Sequence, residues 1–195
     1  MTLPMQIKGI IFDLDGTLVE SSLDFELIRQ QIGCPEGIDL LKYVDELGCQ
    51  TSQARANDII IEHEYQDAIT AKPIKGMAEL INAIDTAKLP TAIVTRNSLA
   101  ASTMKIKQNA IAIEQVLTRE DYPAKPAPDA LLAIANQWQI APEFIMYVGD
   151  YLYDIQAANN AGMIACLITH GVDKRYQELA DIVIEELNQL LPFIQ

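Results

Sequence analysis

Residues 7–17 read Ile7-Lys8-Gly9-Ile10-Ile11-Phe12-Asp13-Leu14-Asp15-Gly16-Thr17. The first half is a short, nearly continuous apolar run rich in β-branched residues, the pattern of a strand buried on both faces of a parallel sheet. The second half sets two carboxylates two residues apart where that strand gives way to a loop, so Asp13 and Asp15 can face one ligand. Two such charges stay close only with a cation or a proton between them. A hard divalent ion with oxygen ligands relieves the repulsion, and Mg²⁺ is the usual partner of phosphate substrates. Gly16 lets the backbone turn closely past a ligand, and Thr17 adds a hydroxyl. Taken alone, the same string also reads as a solvated acidic turn.

Outward from this stretch, further runs of the same character recur: Thr91 to Thr95, Ile145 to Val148 and Ile164 to Ile168, with shorter ones at Gln115 to Leu117 and Ile182 to Ile184. Helical spacing separates them, over Met77 to Lys88, Leu99 to Gln108, Pro128 to Gln139 and Tyr151 to Ala161. Strand and helix in alternation predict an α/β fold, a doubly wound parallel sheet joined by right-handed crossovers. Ligands of such sheets bind beyond the carboxyl ends of the strands. Residues 17–73 break the rhythm. They hold three helical stretches, Leu23 to Ile32, Ile38 to Leu47 and Ser52 to Ile69, the last with Thr51 or Ser52 as its cap. This segment reads as a small helical insertion after strand one, a cap over 17–73 on a core of 1–16 and 74–195. Its return through Lys72-Pro73-Ile74-Lys75-Gly76 reads as a hinge. Helices packed on the sheet as ordinary core are the alternative.

The 195 residues carry 14 Lys and Arg against 27 Asp and Glu, a net charge of −13. Polyanions are repelled overall, so no nucleic acid and no anionic membrane is expected as a partner. A small anionic substrate, held by a few local cations or a metal, is compatible with that balance. Cys34, Cys49 and Cys166 are odd in number and widely spaced, and read as reduced packing residues. Met1 to Lys8 lacks the pattern of a signal peptide, and no apolar run approaches a membrane span, so a soluble cytoplasmic protein is expected.

Three further blocks fall at the ends of predicted strands. Ala92-Ile93-Val94 ends in Thr95-Arg96-Asn97-Ser98 before a helix, where a hydroxyl and free N–H groups can cradle an anion and where Ser98 can equally be an N-cap. Lys125 stands on the proline-stiffened loop Lys125-Pro126-Ala127-Pro128. Met146-Tyr147-Val148 runs into Gly149-Asp150-Tyr151-Leu152-Tyr153-Asp154, where Asp150 and Asp154 lie one helical turn apart and can share a side.

In order and spacing, these four blocks resemble the haloacid dehalogenase superfamily of phosphohydrolases, whose pattern of DxDGT, strand-end Ser/Thr, Lys and GDxxxD is matched by Asp13/Asp15, Thr95, Lys125 and Asp150/Asp154. The resemblance runs from Ile7 to the Asp181-Ile182-Val183-Ile184 strand, and the helical insertion resembles the cap of phosphoglycolate phosphatases and β-phosphoglucomutases. It implies a Rossmann-like core and a Mg²⁺-dependent phosphatase acting on a small phosphorylated metabolite through an aspartyl-phosphate. Asp13 would be the nucleophile and Asp15 the general acid and base. Thr95, with the N–H of Arg96 or Asn97, would hold phosphoryl oxygens, and Lys125 would neutralise the shared charge. The implied Mg²⁺ ligands are Asp13, the Asp15 backbone carbonyl, Asp150 and, through water or as a support of Lys125, Asp154. A phosphomutase would use the same residues, and a non-catalytic phosphate-binding module would keep the pocket alone.

Departures from the pattern are Glu20, where the family often has Asp, and Arg96, which fits a phosphate contact and a supporting role equally. His63 and His170 fall in no motif and read as surface or packing residues; Trp138 reads as packing. Specificity is expected around Glu20 to Phe25 and Lys72 to Gly76. A monomer is the default expectation.

Overall fold

The computed structural model describes residues 7–194; Met1–Gln6, on which most of the N-terminal targeting expectation rests, lie outside them. Six parallel strands form one sheet: β1 (Gly9–Phe12), β2 (Thr91–Val94), β3 (Val116–Leu117), β4 (Ile145–Gly149), β5 (Ile164–Ile168) and β6 (Ile182–Ile184), in the order β3-β2-β1-β4-β5-β6. This is the doubly wound, Rossmann-like order, which reverses direction between β1 and β4 and leaves a crevice at their carboxyl ends. The runs predicted as strands are these strands to within two residues at an end: β1, β2 and β3 are shorter than predicted, β4 is one residue longer, and β5 and β6 match. Ile7 and Lys8 precede β1, where Lys8 N–H already donates to the Phe144 carbonyl at 2.8 Å.

Burial on both faces explains the lost alternation. Ile10, Phe12, Ile93, Met146, Val148, Cys166 and Ile168 enter one core, together with Met77, Leu80, Ile81 and Ile84 of α4 (Met77–Thr86). Ile11, Ala92, Val94, Tyr147, Ala165 and Leu167 enter the other, against α6 (Asp129–Trp138) and α7 (Leu152–Ala161). Trp138 packs as expected. A Cβ at Gly9 would lie 2.7 Å from its ring, and its indole N–H donates to Gln115 at 2.9 Å.

Between β1 and α4 lie α1 (Phe25–Ile32), α2 (Leu40–Asp45) and α3 (Gln50–Thr70). They share a small apolar centre of Ile28, Cys34, Leu40, Val44, Ala56 and Ile60, separate from both faces of the sheet. The two chain crossings that join this segment to the sheet pair with each other. Glu20 N–H donates to Lys72 O at 2.8 Å and Ile74 N–H to Leu18 O at 2.9 Å. Helix α3 starts earlier than predicted. Cys49 is its N-cap residue, and Thr51 and Ser52 fall inside the first turn, so neither caps it. Cys49 is also exposed, which corrects its reading as a packing residue; Cys34 and Cys166 are buried, and all three are free thiols. Among the described residues no helix is long and apolar enough to cross a membrane. Helix α5 (Leu99–Gln108) follows β2 and packs against α3.

Candidate active site

The carboxyl end of β1 delivers Asp13, whose backbone N–H is clamped to the Val148 carbonyl of β4 at 2.8 Å. Its buried carboxylate meets Lys125, the hub of the site. The Lys125 Nζ lies 2.5 Å from Asp13 Oδ1, 2.7 Å from Asp154 Oδ1, 2.7 Å from the Tyr147 hydroxyl and 3.1 Å from the Val94 carbonyl. Asp154, one turn into α7, also accepts from the Tyr151 N–H at 3.0 Å through its other oxygen. Two glycines make room for this convergence. A Cβ on Gly149 would stand 2.3 Å from the Asp154 side chain, and one on Gly16, at φ +71°, 2.6 Å from the Asp150 carboxylate.

Asp13, Asp150 and Asp154 each bring a carboxylate oxygen within 4.8 Å of the others. The Asp13 carboxyl sits well above the ordinary carboxylate range, foremost through burial and further through Asp154 and Asp150, with Lys125 opposing. Asp150 is pushed up to about 6 by burial and by Asp154, against the pull of Lys174 and Lys125. An all-oxygen, anion-rich donor set fits a hard divalent cation of the Mg²⁺ type and no soft metal.

The Asp15 carboxylate is not part of this trio. Its Oδ1 accepts from Lys105 Nζ at 2.6 Å and its Oδ2 from Asn97 Nδ2 at 2.8 Å, which leaves its backbone carbonyl as the group expected at a metal. Burial lifts the Asp15 carboxyl above its ordinary value despite the opposing Lys105 and Asn97. Thr95 is buried at the end of β2, and its hydroxyl accepts from the Asn97 N–H at 3.2 Å. The Arg96 guanidinium bonds Asp39 at 2.5 Å, donates to the Lys125 carbonyl and stacks 4.5 Å from the centre of the Tyr153 ring. Of its two expected roles, these contacts are the supporting one. The helix start expected to cradle an anion does so with protein carboxylates. The Ser98 N–H donates to Glu64 at 3.0 Å and the Leu99 N–H to Glu120 at 2.9 Å. Unpaired N–H groups at a helix start draw in anions, and a chain this acidic supplies them itself.

Three ion pairs join the helical segment to the sheet: Asp39 to Arg96, Glu64 to Arg119, and Asp67 to Lys105 at 2.7 Å. Each cation comes from the β2–β3 side of the sheet and each carboxylate from the helical segment. All six side chains are buried or partly buried, so losing one partner strands a charge with little water to receive it.

Four participants went unread in the sequence. Tyr147 lies mid-strand in β4 with its hydroxyl on Lys125. His170, after β5, is exposed as expected, and its Nε2 donates to the Gly16 carbonyl at 2.6 Å. Lys105 and Asp67 left a faint signal. Lys105 falls four residues after buried Ala101, and Asp67 seven after buried Ile60, so each charge sits on the buried stripe of its helix. A cleft of about 530 Å³ opens beside Gly16, lined in part by Glu20, Ser21, Ile74, Lys75 and His170.

Comparison with known proteins gives a consistent picture. A family described as haloacid dehalogenase-like hydrolase matches residues 22–168. A haloacid dehalogenase-like hydrolase domain-containing protein of Arabidopsis thaliana is 33% identical over 175 residues, covering 84% of this chain and 71% of its own. An N-acetylmuramic acid 6-phosphate phosphatase of Pseudomonas aeruginosa is 25% identical over 213 residues, covering 96% of this chain and 94% of its own. The crystal structure of a predicted phosphoglycolate phosphatase from Haemophilus somnus superposes with a TM-score of 0.76 at 20% identity, over 97% of this chain and 99% of that one.

Proposed function

The chain belongs to the haloacid dehalogenase-like hydrolases, and we propose that within that family it is a Mg²⁺-dependent phosphatase of small phosphomonoesters, with residues 17–73 as a cap over a core of 1–16 and 74–195. The observation that carries the reading is the convergence of the Asp13, Asp150 and Asp154 carboxylates at the crevice between β1 and β4, with the Lys125 ammonium bonded to Asp13 and Asp154. That assembly offers a nucleophile, a fixed positive charge and an oxygen-lined cation site, which is what phosphoryl transfer asks of a protein.

Asp13 attacks phosphorus in line, its carboxylate oxygen forming the new bond as the ester oxygen leaves. Lys125 touches Asp13 directly and offsets the charge that gathers as the phosphoryl group transfers. Asp15 gives its proton to the departing alkoxide, then takes one from the water that hydrolyses the aspartyl-phosphate. Thr95 and the backbone N–H of Arg96 border the phosphoryl position at the end of β2. Mg²⁺, when held by Asp13, Asp150, the Asp15 carbonyl and Asp154, supplies charge neutralisation and alignment of the phosphoryl oxygens. The cleft beside Gly16, the residue that follows Asp15, is the space we assign to the leaving group, and Glu20, Ser21 and Lys75 are among the polar residues that line it. Relatives named phosphatases of small phosphorylated metabolites support the substrate class.

The test is release of inorganic phosphate from p-nitrophenyl phosphate and a panel of small phosphomonoesters, with and without Mg²⁺. Turnover that requires the ion is the expected result. A parent enzyme inert across the panel, or one indifferent to chelation, defeats the reading.

A second expectation concerns pH. Folding raises the Asp150 carboxyl to about 6. Between roughly pH 4 and pH 6 the metal-free fold therefore loses stability as pH rises, because it must release a proton that the unfolded chain has already lost. A divalent ion acts in the opposite sense, since it binds the carboxylate form. The Mg²⁺-induced gain in Tm is thus expected to be clearly smaller at about pH 5.5 than at about pH 7.5. An equal gain at both pH values counts against the trio as the ligands.

A further inference from the structure

Lys105 has no part in the scheme above, yet its side chain is wholly buried. It projects from α5 into the seam between sheet and cap, and its ammonium bridges two carboxylates from opposite sides: Asp15 Oδ1 at 2.6 Å and Asp67 Oδ2 at 2.7 Å. Burying a lysine this far from water is tolerable only with partners of that kind. Asp67 does not stop at Lys105. Its carboxylate also accepts from the Ser21 hydroxyl at 2.9 Å, the Ser22 N–H at 2.6 Å and the Ser22 hydroxyl at 2.9 Å. Ser21 and Ser22 are the first residues beyond the outgoing chain crossing. Just past the end of the helix that carries Lys105, Asn109 Nδ2 donates to the Ala71 carbonyl at the returning crossing, at 3.3 Å. One turn at the end of α5 thus touches the returning leg of the hinge directly, reaches the outgoing leg through Asp67, and holds the carboxylate assigned to proton transfer.

We propose that Lys105 is a positioning residue that sets the Asp15 carboxylate for proton transfer when Asp67 of the seated cap holds its ammonium from the other side. Two donors from the β2–α5 unit, Lys105 and Asn97, take one Asp15 oxygen each and leave the carboxylate a single orientation. A long, flexible lysine side chain defines a position only if it is fixed at its tip. Asp67 supplies that fixation, and supplies it only while α3 lies on α5. Seating the cap and aiming the acid are then one event, so a substrate that holds the cap open does not meet a correctly placed proton donor. This inference rests on the assignment of Asp15 as acid and base.

The experiment compares two esters on each enzyme, with Mg²⁺ present: dinitrophenyl phosphate, whose leaving group needs no proton, and the best alkyl phosphate of the panel, whose leaving group does. Lys105→Met is expected to lower kcat/KM, which reports formation of the phosphoenzyme and not its hydrolysis, on the alkyl ester by about 10²-fold and on the dinitrophenyl ester by no more than about threefold. Asp67→Asn keeps Lys105 beside Asp15 and frees only its far side, so it remains a readable variant should Lys105→Met not fold. It is expected to lose about tenfold on the alkyl ester with the same selectivity. Losses of equal size on both esters, in either variant, overturn the proposal, since a merely structural lysine harms both reactions alike. Asp15→Asn, run in parallel, separates the two assignments. If it spares the alkyl ester, the role given to Asp15 is wrong. If it is leaving-group selective while Lys105→Met and Asp67→Asn are not, the proposal for Lys105 alone fails.

Discussion

Asp13→Asn is expected to remove turnover, by about 10³-fold or more, the scale on which a reaction suffers when its nucleophile is taken out. The amide keeps the shape of the side chain but cannot form the phosphoenzyme. The same change is expected to leave the metal-free protein at least as stable as the parent. Asp13 is buried, and its carboxyl is held well above the ordinary range, first by burial and then by Asp154 and Asp150. Removing its charge removes that repulsion, and Lys125 keeps Asp154, Tyr147 and the Val94 carbonyl as partners. Function and stability therefore move in opposite directions, as they do where a site stores unfavourable charge for its chemistry. Phosphate release and a thermal melt in chelator read both. An Asp13→Asn enzyme that still turns over, or one that melts well below the parent, contradicts this account.

The partner change has the opposite signature on stability. Lys125→Met is expected to cost both activity, by about 10²-fold or more, and stability, by about 3–5 kcal/mol, the range for stripping one side from a buried ion pair. Without the ammonium, Asp13 and Asp154 face each other with no cation between them, only Asp150 keeping one in Lys174, and the Tyr147 hydroxyl loses its closest contact. Added Mg²⁺ is expected to recover part of the lost Tm, since it brings positive charge to the same oxygens, while activity stays low. Lys125→Arg does not rescue either quantity. A planar guanidinium cannot point one nitrogen at four acceptors that converge on a single ammonium. Melting curves with and without Mg²⁺ check the first statement, and initial rates the second. Should Lys125→Met melt with the parent, the ammonium is not the hub described here.

Much of this molecule was legible before any coordinates. Strands buried on both faces announce themselves as unbroken apolar runs, and the punctuation between them is local chemistry that a linear reading can follow. Ile164 to Ile168 and Ile182 to Ile184 are strands at the expected residues, and Leu99 to Gln108 is a helix at the expected residues. Asp13, Asp150, Asp154 and Lys125 come together because each stands just past a strand, on the loop before a helix or in that helix's first turn, and a parallel sheet places all such points along one edge. Helix starts were less readable. Helix α3 begins at Gln50 with Cys49 as its N-cap and no side chain capping it, although Thr51 and Ser52 offer hydroxyls just beyond.

What linear order cannot carry is which charge on one buried stripe meets which charge on another. Asp39 with Arg96, Glu64 with Arg119, and Asp67 with Lys105 are 57, 55 and 38 residues apart. Taken along the chain, each is an ordinary polar residue on a helix or a loop, with solvent as its natural partner. Only the seating of three helices against the β2–α5 unit removes that solvent, and a charge deprived of water must find its counter-charge among whatever atoms the packing presents. The motif residues belong to the strand ends and could be read there; the groups that hold and aim them arise from docking, where the cost of desolvation selects the partner.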